Sequence, residues 1–200
     1  MKNFDDIYDL DAKRDPHMAE YAKVRDSMRA DPHSAIREME ALAYRGSIMS
    51  ILFIADAMLT GSWYEQDLPG AERWFEVAAK SGSVRGIAGS AATHLLMGRH
   101  ADAIKELEEA ISRRYPPAIN SLAKLYFLGQ GVPEDKAKAL SLWREGAALG
   151  HLHSKRHLVH RSLRGHFGIF WFLRSIPMYI TLAIDAISVV LNNRYTDRLR

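Results

Sequence analysis

The chain has 200 residues, of which 48% are hydrophobic, and a formal net charge of +3. This length is sufficient for one domain with a sizeable buried core. Because the chain has no cysteine, disulfides, thiolate metal sites and cysteine nucleophiles are excluded, and a reducing compartment is expected.

Residues 1–13 are interpreted as an acidic N-terminal arm with the sequence MKNFDDIYDLDAK. The arm lacks the basic and then apolar pattern of a secretory signal. We therefore expect the N-terminus to lie in the cytosol.

A helical repeat is predicted over residues 14–165, because similar residues recur at a nearly constant interval. The first-helix slot is occupied by Ser50, Gly86, Ala118 and Ser154, at spacings of 32 or 36 residues. The shorter step lacks four residues between Met97 and Ala103, so a tight turn around Gly98 is predicted there. The repeat units are 14–49, 50–85, 86–117 and 118–153, followed by a partial unit at 154–165.

The second helix of each unit has its own signature. An alanine recurs in its packed face, at Ala35, Ala71, Ala103 and Ala139. Asp31, Asp67 and Asp135 precede three of these helices, and the first two are followed by proline. A carboxylate before a helix start, with proline in the first turn, is typical of an N-cap.

The unit from Ala118 to Gly150 resembles the Sel1-like repeat, a relative of the tetratricopeptide repeat. The resemblance rests on its alanine, leucine and tyrosine spacing, on the GxGV turn of Gly129 to Val132, and on the following Asp135. It implies an all-α fold, a right-handed solenoid of antiparallel helix pairs, and the apolar residues after the repeats predict a C-terminal hydrophobic helix in addition. It also implies an adaptor or assembly scaffold, and bacterial members are often linked to envelope or signalling complexes.

Trp63 and Tyr64 stand where the family turn would place Gly131 and Val132. Exposed aromatic side chains frequently anchor protein interfaces, so both are predicted to contact a partner protein. Trp74 occupies a packed slot of the second helix, and we predict that it serves the core.

Residues 166–192 form a hydrophobic segment that is predicted to associate with a membrane. As one helix, Phe167 to Leu191 would span about 37 Å, against about 30 Å for a bilayer core. Arg174 and Asp185 oppose insertion. The predicted lipid contacts are Phe167, Ile169, Phe170, Trp171, Phe172, Leu173, Ile180, Leu182, Ile184, Ile187, Val190 and Leu191.

One polar stripe runs along this segment and is predicted to face a partner in the membrane. Its members are Arg174, Thr181, Asp185 and Ser188. The same stripe fits a spanning helix or one lying in the membrane plane, and Pro177 would either kink the helix or open a new one. The alternative is a soluble scaffold in which this helix caps the repeats or forms a subunit interface.

Positive charge is concentrated at the C-terminal end, where residues 151–200 hold eight Lys and Arg against two Asp. Residues 193–200 form a basic tail. Lys155, Arg156, Arg161 and Arg164 precede the hydrophobic segment and are predicted to bind anionic lipid headgroups. This placement favours lipid over nucleic acid and predicts the cytoplasmic face of a membrane, which the family resemblance makes the bacterial inner membrane.

The histidines at 151, 153, 157 and 160 lie in one predicted helical stretch, where an i, i+4 pair is able to chelate a metal. No carboxylate ligand or base lies between residues 146 and 184, so solvated histidines are the favoured interpretation. The sequence has no glycine-rich phosphate loop, GxSxG or HExxH motif. We therefore expect no cofactor, no small-molecule substrate and no catalysis, and we expect a scaffold that recruits or stabilises a membrane complex, for example in envelope or exopolysaccharide assembly.

Overall fold

The computed structural model describes residues 10–163 together with 177, 180, 181, 183 and 184. In this part of the chain nine helices follow a helical turn at residues 10–14. The helices are α1 (Met18–Ser27), α2 (Pro32–Tyr44), α3 (Ile48–Thr60), α4 (Leu68–Lys80), α5 (Val84–Leu96), α6 (His100–Ser112), α7 (Pro116–Leu128), α8 (Lys136–Ala148) and α9 (Leu152–Leu163). The predicted all-α fold of antiparallel helix pairs is confirmed.

The helices belong to two compact units that divide after Arg114. The N-terminal unit contains α1 to α6, in which the pairs α3–α4, α4–α5 and α5–α6 make the most extensive contacts. The C-terminal unit contains α7 and α8, with α9 packed against both. Each unit buries its core between successive helices.

The predicted aspartate caps are present. Asp31, Asp67 and Asp135 are the N-cap residues of α2, α4 and α8, and each carboxylate accepts a hydrogen bond from the backbone N–H three residues later, at 2.8–3.0 Å. These bonds satisfy a donor that would otherwise be unpaired at the helix start. The local chemistry of the sequence therefore fixes where these helices begin.

The connections explain the unequal repeat spacing. The turns after α3 and α7 both run for seven residues, 61–67 and 129–135, and begin at Gly61 and Gly129 in the left-handed conformation (φ 70° and 65°). The turn after α5 has three residues, 97–99, with Gly98 at φ 76°. The four missing residues are thus removed from a connection, as predicted.

Small side chains allow neighbouring helices to approach closely. Ala71, Ala103 and Ala139 are completely buried at equivalent slots. At Gly86 in α5, an added Cβ would lie 2.6 Å from the backbone nitrogen of Ala79 in α4. The distance between these helices is therefore set by the absence of a side chain at Gly86.

The N-terminal residues contact the repeats through two buried aspartates. Asp15 Oδ2 accepts hydrogen bonds from Ser47 Oγ (2.8 Å) and Met49 N (2.7 Å), and Asp11 Oδ2 accepts one from Ser83 Oγ (2.8 Å). Ser47 and Ser83 are the N-caps of α3 and α5. The described part of the predicted arm, residues 10–13, is thus helical and bound to the stack.

Among the described residues, no helix is sufficiently long and apolar to be a candidate membrane span. Most of the hydrophobic segment 166–192 lies outside the described residues.

Substituting Gly86→Ala should destabilise the protein by about 1–3 kcal/mol, because the new methyl group would overlap the backbone of α4. At an open helix position the same change would stabilise by about 1 kcal/mol. Urea unfolding followed by circular dichroism measures the difference. A stability equal to or above that of the wild type would contradict the close contact between α4 and α5.

Candidate protein interaction surface

An aromatic surface lies on the N-terminal unit, where an exposed ring on α2 meets a partly buried ring on α4. Tyr44 ends α2 and is 81% exposed. Its ring meets that of Trp74 in α4 edge to face, with 5.6 Å between the ring centroids. Trp74 also packs against the buried cluster beneath it, so the predicted packing role of Trp74 is accompanied by a contact on the surface.

Tyr64 belongs to the same surface and lies in the connection between α3 and α4. Its ring packs against the same core cluster, and its hydroxyl donates a hydrogen bond to Glu40 Oε1 at 2.9 Å. Burial and the neighbouring Glu40 carboxylate raise the pKa of Tyr64 well above its usual value. The phenol therefore remains a protonated donor that fixes this connection onto α2.

Trp63 directly precedes Tyr64 and is 44% exposed. We call Tyr44, Trp63, Tyr64 and Trp74 the aromatic patch. The sequence predicted Trp63 and Tyr64 as partner contacts, and the structure gives them different surroundings, with Trp63 accessible and Tyr64 half-buried as a support.

Sequence reasoning missed Tyr44, although a signal was present. At the repeat spacing its slot is occupied by Lys80, Ser112 and Ala148, which are polar or small. An aromatic residue at a slot that elsewhere carries no core side chain indicates a role on the surface.

A partly buried cluster of polar and charged side chains links α4, α5 and α6 in the same unit. His94 Nε2 lies 2.8 Å from Glu72 Oε1, and His94 Nδ1 lies 2.8 Å from Glu106 Oε2. Arg99 also pairs with Glu72 at 2.6 Å. The hydrogen bonds from Arg99 and His94 lower the pKa of Glu72, whereas burial raises the pKa of Glu106. These groups brace the three helices.

A cavity of about 210 Å³ opens beside this cluster and is lined in part by Glu76, Glu106 and Glu109. Each of the three carboxylates has a partner within the unit. Glu76 pairs with Lys80, Glu109 pairs with Arg113, and Glu106 accepts a hydrogen bond from Ser90 at 2.8 Å. These contacts give the acidic side chains structural roles.

The predicted headgroup-binding residues have unequal surroundings on α9. Arg156 is exposed and Lys155 is partly exposed. The Arg161 guanidinium lies over the Phe127 ring, 4.2 Å from its centroid, so it also packs against α7. Arg164 lies outside the described residues.

The histidines of this region are divided between the interior and the surface. His151 is 2% exposed, and the imidazole of His157 stacks on Trp143. His160 is exposed. Among the described residues, no group of three or more potential ligands is arranged to hold a metal ion.

The C-terminal predictions fall mostly outside the described residues. Of the predicted polar stripe only Thr181 is described, and it is helical and exposed. Of the predicted lipid contacts only Ile180 and Ile184 are described, and they are 56% and 59% exposed. Residues 167, 169–174, 182, 185, 187, 188, 190 and 191 are not among the described ones.

The paired helices, the capped second helices and the buried alanines define a helical-repeat protein of the all-α solenoid class. The family model described as the Sel1 repeat matches residues 48–83 and 116–151. These two stretches are therefore Sel1 repeats, and the resemblance inferred from Ala118 to Gly150 is confirmed. Sel1 repeats are protein–protein interaction modules.

Two solved structures share the fold. The Sel1 repeat protein from Oxalobacter formigenes is 19% identical, with a TM-score of 0.69, and the match covers 84% of this chain and 72% of that one. The protective antigen c5321, present in uropathogenic Escherichia coli strains and displaying an SLR fold, is 21% identical, with a TM-score of 0.60 over 75% of this chain. The match spans 33% of the antigen's length. No curated protein sequence matches the chain.

Replacing Tyr64→Phe should cost about 0.5–1.5 kcal/mol of stability, because the hydrogen bond to Glu40 is lost while the ring packing is kept. Tyr44→Phe is the matched control, because it removes a hydroxyl from an 81% exposed ring, and it should change stability by less than about 0.5 kcal/mol. Urea unfolding at neutral pH compares the two variants. Equal losses would show that the Glu40 contact does not fix the connection.

Proposed function

We propose that this protein is a non-catalytic adaptor that binds a partner protein through the aromatic patch. The observation that carries the proposal is Tyr44, an aromatic side chain that is 81% exposed while its ring is held against Trp74. A cluster of aromatic rings at a protein surface is typical of an interface, where such rings anchor the partner.

The patch is preorganised for binding. Trp74 and Tyr64 are fixed from below by the core, and Tyr64 is also fixed by Glu40. Because the Tyr44 ring lies against the fixed Trp74 ring, covering Tyr44 costs less side-chain entropy than covering a free side chain, and the aromatic area of Tyr44 and Trp63 buried by a partner adds to affinity. Val77, 42% exposed in α4, extends the apolar area by one helical turn from Trp74.

Affinity capture from the native cells tests the patch. The double substitution Tyr44→Ser/Trp63→Ser should reduce recovery of the specific partner at least about tenfold, because Tyr and Trp are enriched among the hot-spot residues that contribute about 2 kcal/mol or more. Leu96→Ser is the matched control, because Leu96 is 60% exposed on α5 of the same unit, and it should leave recovery unchanged.

Circular dichroism and urea unfolding must first show that both variants are folded as well as the wild type. Undiminished recovery with the double variant, or equal loss with Leu96→Ser, would contradict binding at the aromatic patch.

The second part of the proposal concerns the C-terminal residues, which we propose attach the adaptor to the cytoplasmic face of a membrane. Ile180 and Ile184 support this part, since they are four residues apart and both more than half exposed. Apolar side chains one helical turn apart form a stripe that lipid or protein is expected to cover. The proposed partner is then a membrane protein, in a complex of bacterial envelope or exopolysaccharide assembly.

Cell fractionation of the full-length protein and of a version ending at Gly165 tests this attachment. Full-length protein should sediment with membranes and require detergent for release, and the shortened version should remain in the supernatant. If the full-length protein stays in the supernatant as a defined oligomer by light scattering, the exposed stripe is a subunit interface and membrane attachment is refuted.

A further inference from the structure

Helix α9 is held on the C-terminal unit by an aromatic contact that includes a histidine. The His157 ring stacks on Trp143 of α8, with 5.3 Å between centroids and 11° between planes. Trp143 is completely buried and donates a hydrogen bond to Asn120 Oδ1 of α7 at 3.1 Å. Leu158 and Val159 are each 2% exposed. The docked position of α9 thus depends on side chains that include His157.

A second histidine is buried where α9 begins. His151 Nδ1 accepts a hydrogen bond from the backbone N–H of Ser154 (3.3 Å) and lies 2.8 Å from Ser154 Oγ. Ser154 is itself completely buried, and an added Cβ on Gly146 of α8 would lie 2.4 Å from its Oγ. A nitrogen that accepts from a backbone N–H carries no proton. The start of α9 is therefore built around a neutral imidazole.

Several described groups near these two imidazoles are cationic. Lys124 approaches His157 from α7, and Arg156 and Arg161 approach it from α9 itself. His153 lies beside His151, with 5.6 Å between the ring centroids. From α8 the contacts are Trp143 and Gly146, while the neighbouring Arg144 and Glu145 are exposed.

The segment that contains these histidines has no carboxylate side chain, because no Asp or Glu occurs between residues 146 and 184. Burial lowers the pKa of His151 to about 4, and burial together with Lys124 and Arg156 lowers the pKa of His157 to about 4. Both groups are neutral in the docked state at neutral pH.

We infer that α9 is an acid-sensitive joint, which undocks from α7 and α8 on mild acidification because His151 and His157 gain charges that the docked state does not accommodate. Undocking would uncover Trp143 and Phe127, which form the aromatic centre of this unit. Undocking of α9 needs no partner protein and is therefore independent of binding at the aromatic patch.

The direction in which pH changes the stability of the docked state follows from the protonation of the two histidines. The pKa of buried His151 and of half-buried His157 is depressed below the value of about 6.5 that applies when α9 is undocked. The docked state therefore has its full stability above about pH 6.5 and loses it as the pH falls toward 4. At pH 5 protonation of buried His151 should increase the undocked fraction by about 10-fold or more, and half-buried His157 should contribute less because solvent screens its charge.

Hydrogen exchange measured by mass spectrometry on the full-length protein tests the joint. Protection of residues 152–163 is compared with that of α3, which contains no histidine, at pH 7.5 and pH 5, after correction for the intrinsic pH dependence of exchange. Protection of α9 relative to α3 should fall at least about tenfold at pH 5.

Three variants keep the test decisive. His157→Phe retains a stacked ring without a titrating group, and His151→Asn retains a side chain able to cap the helix, so each should reduce the pH response and the pair should abolish it. His160→Gln removes an exposed histidine of the same helix and should leave the response intact. An unchanged relative protection at pH 5 in the wild type would refute the joint, as would a full response in either single variant or its loss in His160→Gln.

Discussion

The close approach of adjacent helices at small residues is the constraint on which the rest of this structure depends. Where Gly86 meets the backbone of α4, an added methyl group has no room, and the buried alanines repeat the same condition at Ala71, Ala103 and Ala139. In each repeat unit, dense packing at these slots buries one side of the second helix. The other side of each second helix is then left to carry whatever the protein presents to its surroundings.

The aromatic patch follows from that division. In α4 the buried positions are used by Ala71, Phe75 and Ala78, so Trp74 lies at the edge of the core and Val77 faces outward. At this edge, Trp74 packs against the core and also contacts the exposed ring of Tyr44. A scaffold with such fixed edges is able to hold a binding surface rigid without any further element.

The sequence was sufficient for features that depend on neighbouring residues. Aspartate caps, glycine-terminated helices and the shortened connection at Gly98 arise within a few residues, and the structure has them as predicted. Features that depend on distant partners could not be predicted. In the sequence, Ser47 and Ser83 are ordinary helix caps. In the structure, their hydroxyls also donate hydrogen bonds to Asp15 and Asp11, which lie 32 and 72 positions earlier in the chain. The exposed position of Tyr44 can be predicted only when the last residues of the second helices are compared across the repeat units.

Site-specific photo-crosslinking in living cells tests the central claim most directly, which is that the aromatic patch contacts a partner protein. A photoreactive phenylalanine at position 44 places the reactive group on the most exposed ring of the aromatic patch, and the same group at the exposed position 101 at the start of α6 is the control. The account predicts one dominant crosslinked protein at position 44 and none of it at position 101. No crosslink at position 44, or the same product at both positions, would contradict it.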